Sequence, residues 1–167
     1  ALAAEIGATT KDAALDAIAK TAKVAPARFN QDWVKYSAED LVANKGKSLV
    51  LVSPAGGILP IRAWPMEYYR SLCTSLVGDG HAVGIIGLSG DKRLGQDLVA
   101  HCGSPQCVDL TGYTGSIRHL LALFHRASLL VTNDGGHGQF AAVTPIPTII
   151  LFGPETPVLY GTLSKNA

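Results

Sequence analysis

An α/β domain with a parallel sheet buried between helices is the fold class this sequence predicts, on three observations. Short continuous apolar runs recur from Ser48 onward. Each is followed by a loop and then by a stretch of helical periodicity. Charge density is also low enough for strands covered on both faces, with 14 charges in the 120 positions from Ser48 onward against 13 in the 47 before them. That drop of more than half divides the chain. Residues 1–47, Ala-rich among Lys and Asp, read as a helical lead-in broken at Pro26. Residues 48–167 read as the α/β domain.

Element by element, Ser48–Val52 (SLVLV) is a β-branched run suited to a strand buried on both sides. Pro65 then stands as the first residue of a helix reaching about Val77, stopped by Gly78-Asp-Gly80. Ala82–Ile86 is the second strand and Asp91–His101 the next helix. Gln106–Asp109 is a short third strand. Ser116 or Thr114 caps a helix over Ile117–His125, on which Leu120, Leu123 and Phe124 share one face. Ser128–Thr132 and Thr148–Phe152 complete five strands, with a short helix over Gly138–Val143 between them. Strand–helix alternation with short connections makes right-handed βαβ units, a Rossmann-like sheet with helices on both faces.

Composition excludes several classes. A formal net charge of +1 argues against a protein that tracks nucleic-acid phosphates. No apolar run reaches the ~18 residues of a membrane span, and the N-terminal residues lack a signal-peptide pattern. Cys73, Cys102 and Cys107 are odd in number and at no metal-ligand spacing, so they read as reduced, intracellular thiols. No His, Cys and carboxylate group stands at ligand spacing, so no metal site is expected. A Gly-x-Ser-x-Gly elbow is also lacking, as are a Walker A loop and a Gly-x-Gly-x-x-Gly fingerprint.

In such sheets function lies in the loops at the carboxyl ends of the strands. After the first strand, Gly56 and Gly57 let a backbone approach a ligand and offer N–H groups. Arg62, just ahead of a helix start, either favours an anion there or is a solvated turn residue. After the second strand, Asp91 is a helix cap or an acceptor for ribose hydroxyls. The fourth strand runs into Asn133-Asp134-Gly135-Gly136-His137-Gly138-Gln139, a strand–glycine–helix junction that suits a phosphate. Asp134 can lock that turn by accepting backbone N–H groups. His137 and Gln139 either reach the ligand or are structural, and the other four histidines receive no role.

These segments resemble glycosyltransferase family 9, the ADP-heptose:lipopolysaccharide heptosyltransferases and their relatives. The resemblance rests on Asn133-Asp-Gly-Gly-x-x-Gln-Phe-Ala-Ala142 followed by Thr144-Pro-Ile-Pro-Thr-Ile-Ile-Leu-Phe-Gly-Pro-Glu-Thr-Pro157. Ser53-Pro-Ala-Gly-Gly57, Arg62 two before Trp64-Pro65, and Asp109-Leu-Thr-Gly112 agree with it. It covers about residues 48–163. It implies the C-terminal, donor-binding half of a two-domain GT-B enzyme that inverts and uses no metal or other cofactor, its substrate being a nucleotide-diphospho-sugar.

On that resemblance Asp134, Gly135 and Gly136 form the phosphate turn, and Arg62 offsets diphosphate charge. Gly56 and Gly57 lie against the phosphates, while Asp91, Thr114 and Gly115 lie nearer the nucleoside. The general base and the site for a glycan or lipid-linked acceptor belong to an N-terminal domain not contained here, so no catalytic residue is assigned and the chain is expected to transfer nothing alone. A cytoplasmic location, at the inner face of the membrane through peripheral association, is implied likewise. His137 stands where the family usually has Pro, and Gln139 where it usually has His. Two further classes stay open: a nucleotide-binding module that has lost catalysis, and a dinucleotide-dependent enzyme.

Overall fold

The computed structural model describes residues 48–57, 59–162, 164, 165 and 167. The lead-in expected over residues 1–47 lies outside them. Five strands, β1 (Leu49–Ser53), β2 (Ala82–Ile85), β3 (Cys107–Asp109), β4 (Leu129–Asn133) and β5 (Thr148–Leu151), form one sheet. All neighbours are parallel, in the order β3-β2-β1-β4-β5. β1 is therefore central, pairing Val50 with Val83 on one side and with Leu129 on the other.

Alternation along β1 sends its side chains to two cores. Leu49 and Leu51 join Leu120, Leu123 and Phe124 of α3 (Ile117–Arg126) and Ala141 of α4 (Gly136–Ala141). Val50 and Val52 join Tyr69 and Cys73 of α1 (Met66–Gly78) and Leu98 of α2 (Lys92–Cys102). Helices thus cover both faces, as the uninterrupted apolar strands predict. The Ser116 hydroxyl caps α3 by accepting from the His119 N–H at 3.3 Å, which decides between the two caps expected from sequence.

Three local details differ from expectation. Pro65 is the residue before α1 rather than its first, and its carbonyl accepts from the Tyr68 N–H at 3.0 Å. α4 begins two residues early, at Gly136, entered from Gly135 in extended backbone with φ 168. A last helical turn, α5 (Pro157–Tyr160), follows β5 with Thr156 as its cap, its hydroxyl accepting from the Val158 N–H.

Gly95 lies inside α2, where glycine costs about 1 kcal/mol relative to alanine. The reason lies at the end of β3. A Cβ at position 95 would collide with the Asp109 carboxylate. That carboxylate accepts from both the backbone N–H (2.9 Å) and the hydroxyl (2.5 Å) of Thr111, and pairs with Lys92 at 3.3 Å. It fixes the loop that leaves β3.

The two cores generate a stability prediction. Phe124 is fully buried against β1 and α4, so Phe124→Ala is expected to lower unfolding free energy by about 3–5 kcal/mol, read from urea melts.

Candidate functional site

The order β3-β2-β1-β4-β5 reverses direction between β1 and β4, because connections leave β1 toward β2 and return to β4 on its far side. The carboxyl ends of those two strands open on a crevice, the usual place for a ligand in this architecture. Asn133 and Ser53, the last residues of β4 and β1, are both buried there.

Asn133 uses all its side-chain capacity across that crevice. Its Oδ1 accepts from the Trp64 N–H at 2.9 Å and from the Tyr69 hydroxyl at 2.8 Å. Its Nδ2 donates to the carbonyls of Pro54 and Ala55, at 2.9 and 3.2 Å. One amide therefore ties β4 to the loop after β1, to the entry of α1 and to the second core. Trp64 stacks on Tyr68 and meets Tyr69 edge-on, each with ring centroids 5.2 Å apart, which rigidifies that entry. Burial pushes the Tyr69 hydroxyl well above the usual phenol range, so it stays a donor.

The loop so held carries Gly56, Gly57 and Arg62. Gly56 packs against Ala63, where a Cβ would sit only 3.0 Å from the Ala63 Cβ. Gly57 turns the chain with φ +63, a conformation other residues adopt at a cost. A single 3-10 turn over Pro60–Arg62 then brings Arg62 back over the crevice. This Arg is no solvated turn residue. Its Nη1 lies 3.6 Å from Asp134 Oδ2 and its Nη2 donates to Glu155 Oε1 at 2.9 Å. Its guanidinium also sits 5.9 Å from the centre of the Tyr160 ring.

Asp134 corrects a second expectation. Its Oδ2 is buried and accepts no hydrogen bond among the described residues. Its charge faces Arg62, and this oxygen takes no N–H of the glycine turn. Arg62 Nε is likewise buried without a partner. A donor and an acceptor of this ion pair thus each lack a hydrogen bond, an arrangement uncommon in buried sites.

Gly135 and Gly136 frame this pair, and neither needs glycine for its own packing. A Cβ at Gly135 would meet nothing nearer than 3.9 Å, and one at Gly136 only the Phe140 ring at 3.6 Å. Neither has a positive φ in the left-handed range. Close packing therefore does not require glycine at either position.

His137 turns inward, with Nδ1 at 2.8 Å from the Ser53 hydroxyl. Burial holds its imidazole below the ordinary range, and the negative charge of Asp91 partly offsets that. Asp91 occupies the position before α2, yet its side chain reaches backward to accept from the Leu88 N–H at 2.7 Å. It stiffens the loop after β2 instead of capping the helix. That loop also receives the Gly112 N–H on the Gly87 carbonyl at 2.9 Å, with Gly112 at φ +69. Thr114 and Gly115 lie in the loop between β3 and α3. Gln139 points elsewhere: its amide donates to the Tyr160 carbonyl at 3.0 Å.

The sequence placed Arg62, Asp134, Gly135, Gly136 and His137 at one crevice, and the fold brings them together. It assigned no role to Asn133, Ser53, Tyr69 or Glu155. The signal available for Asn133 was a large polar side chain ending an otherwise apolar buried strand. Among the described residues no group of three His, Cys, Asp or Glu could hold a metal, and no helix is long and apolar enough to cross a membrane. The three cysteines are free, and all three pack in the core shared by α1 and α2, a convergence their spacing does not reveal.

The family model described as glycosyltransferase family 9 (heptosyltransferase) matches residues 10–167. The chain belongs to glycosyltransferase family 9. Among curated relatives of this family 9 chain, Lipopolysaccharide heptosyltransferase 2 of Salmonella typhimurium is 28% identical over 131 residues, which are 77% of this chain and 37% of that protein. The solved E. coli ADP-heptose lipopolysaccharide heptosyltransferase II superposes with TM-score 0.69 at 24% identity, covering 86% of this chain and 43% of the other. An E. coli heptosyltransferase solved with ADP gives TM-score 0.63 at 21% identity, covering 77% and 40%. The family 9 chain therefore spans less than half the length of these relatives, and shares their α/β fold over that span.

Two expectations follow from the site. Asn133→Ala, which removes the acceptor of the Tyr69 hydroxyl and the part-buried Trp64 N–H and the donor to two carbonyls, is expected to cost about 3 kcal/mol in urea unfolding, against about 1 for Tyr69→Phe. His137, with a pKa lower folded than unfolded, resists protonation in the native state. Below about pH 6.5 the unfolded chain binds more protons, so stability falls as pH drops. Relative to wild type, His137→Gln is expected to flatten the acid limb of a stability–pH curve between pH 5 and 8, measured by chemical unfolding.

Proposed function

We propose that this chain holds the nucleotide-diphospho-sugar donor of a heptosyltransferase-like reaction, with the diphosphate at the β1/β4 crevice. One observation carries the reading. Among the described residues Arg62 Nε and Asp134 Oδ2 are buried without a hydrogen-bond partner, next to two glycines where a Cβ would meet only ordinary van der Waals contacts. A diphosphate supplies acceptors for the Arg62 Nε, and the glycines, with no Cβ, let its oxygens approach the backbone amides after β4. The loops after β2 and β3, with Asp91, Thr114 and Gly115, stand on the side the nucleoside would take.

The transfer itself belongs to the whole protein. An acceptor hydroxyl oxygen attacks the anomeric carbon as the bond from that carbon to the diphosphate oxygen breaks, with inversion and without a metal. The electron pair leaves with the nucleoside diphosphate, and the hydroxyl proton passes to a general base. Arg62 stabilises the charge that develops on the leaving phosphate. Base and acceptor site, for a glycan or lipopolysaccharide-type acceptor, lie in the part of the relatives' length that this chain does not span. The chain alone therefore transfers nothing, and the parent works in the cytoplasm at the inner face of the membrane. A second reading, a nucleotide-binding module without transfer, is favoured by Gln139, whose amide is engaged by the Tyr160 carbonyl rather than directed at the crevice.

Calorimetric titration with ADP, GDP, UDP and NAD tests both. ADP is expected to bind, and Arg62→Ala to weaken it tenfold or more, as for loss of a charged hydrogen bond. Binding of NAD alone would instead move the assignment to a dinucleotide enzyme. Donor binding without turnover by the complete parent would select the second reading.

A further inference from the structure

Arg62 stands between two carboxylates, and the pair is not symmetric. Asp134 is held at the end of a central strand, with its side chain 7% exposed. Glu155 lies on the loop between β5 and α5, with its side chain 30% exposed, and makes the closer contact at 2.9 Å. One guanidinium and two carboxylates carry a formal charge of −1. A cluster of that sign repels the anion that the reading above assigns to it. It repels anions in proportion to their charge.

The candidate ligands differ in that respect. In a sugar-capped diphosphate both phosphates are diesters, each with one negative charge. In the free nucleoside diphosphate the terminal phosphate is a monoester, whose second ionisation near pH 6 adds most of a third charge at pH 7. That charge sits on the end of the ligand the sugar would otherwise cover. Asp134 is buried and fixed, so it bears on both ligands alike. Glu155 can rotate toward solvent or remain beside Arg62.

We propose that Glu155 is a specificity-determining residue that disfavours the free nucleoside diphosphate relative to the sugar-capped donor, so that the site binds substrate in preference to product. The proposal rests on the donor-site reading above and extends it. Glu155 gives up the Arg62 Nη2 when the donor diphosphate arrives, and its carboxylate remains close enough to penalise a terminal phosphate bearing the extra charge. Its two oxygens are also acceptors suited to sugar hydroxyls, which the free nucleoside diphosphate lacks at that end.

The test is calorimetric titration of this chain with ADP and with ADP-glucose at pH 7.5, in wild type, Glu155→Gln, Glu155→Asp and Arg62→Ala. Glu155→Gln keeps the shape and removes the charge. It is expected to raise ADP affinity about fivefold, the size of a solvent-screened charge pair, and ADP-glucose affinity about twofold or less. Glu155→Asp is expected to retain the wild-type preference. If Glu155→Gln raises both affinities equally, or neither, Glu155 selects nothing and the proposal fails, while loss of ADP binding in Arg62→Ala keeps the donor site standing. If Arg62→Ala leaves ADP binding unchanged, the donor site itself is misplaced. Absence of binding of either ligand to both wild type and Glu155→Gln overturns the two together.

Discussion

Everything at the crevice depends on one buried amide. Asn133 ends β4, yet its four hydrogen bonds go to the loop after β1, to the backbone ahead of α1 and to a core tyrosine. Parallel strands share no hairpin, so β1 and β4 are joined only through their ladder and whatever spans their ends. The ladder sets the height of the two strands. The Asn133 bonds set where the loop after β1 comes to rest, and with it where Arg62 meets Asp134. A fully satisfied polar group in a low-dielectric core is directional in a way that apolar packing is not.

With that geometry fixed, the electrostatics become legible. Among the described residues the buried Asp134 Oδ2 accepts no hydrogen bond, a costly state unless a cation stands by. Arg62 is that cation, and it is over-compensated by Glu155 and touched by the Tyr160 ring. The tail of the domain thus converges on the loop after β1: Gln139 holds the Tyr160 carbonyl, and Tyr160 lies against the guanidinium. The result is a charged centre whose partners come from the loop after β1, the end of β4 and the segment after β5.

Much of the fold was readable because it is local. Five apolar runs gave five strands within a residue or two, and Ser116 capped the helix its position predicts. Glycine-bearing loops at strand ends marked the crevice for the same reason. Pairings between distant positions were not readable. Nothing near Arg62 in the chain says that position 134 faces it or that position 155 takes its other arm. Asp134 was expected to bond its own turn, Asp91 to cap a helix or accept ribose hydroxyls, and Gln139 to reach the ligand or be structural. The structure turns Asp134 across to Arg62, Asp91 back to the Leu88 N–H and Gln139 to the Tyr160 carbonyl. Side-chain direction at a helix entry turns on a few degrees of backbone, which pattern does not encode.

The central position of β1 also has a bearing on how the domain is made. Val50 pairs with Leu129, so the middle strand waits for about 80 residues of chain before its second edge is covered. At ribosomal speeds of about 5–20 residues per second, that is on the order of 4–16 s with an apolar strand edge open to other chains. Sheets that close through such long separations are slow to nucleate. The strand whose end forms the crevice is thus the one whose second edge stays open longest during synthesis.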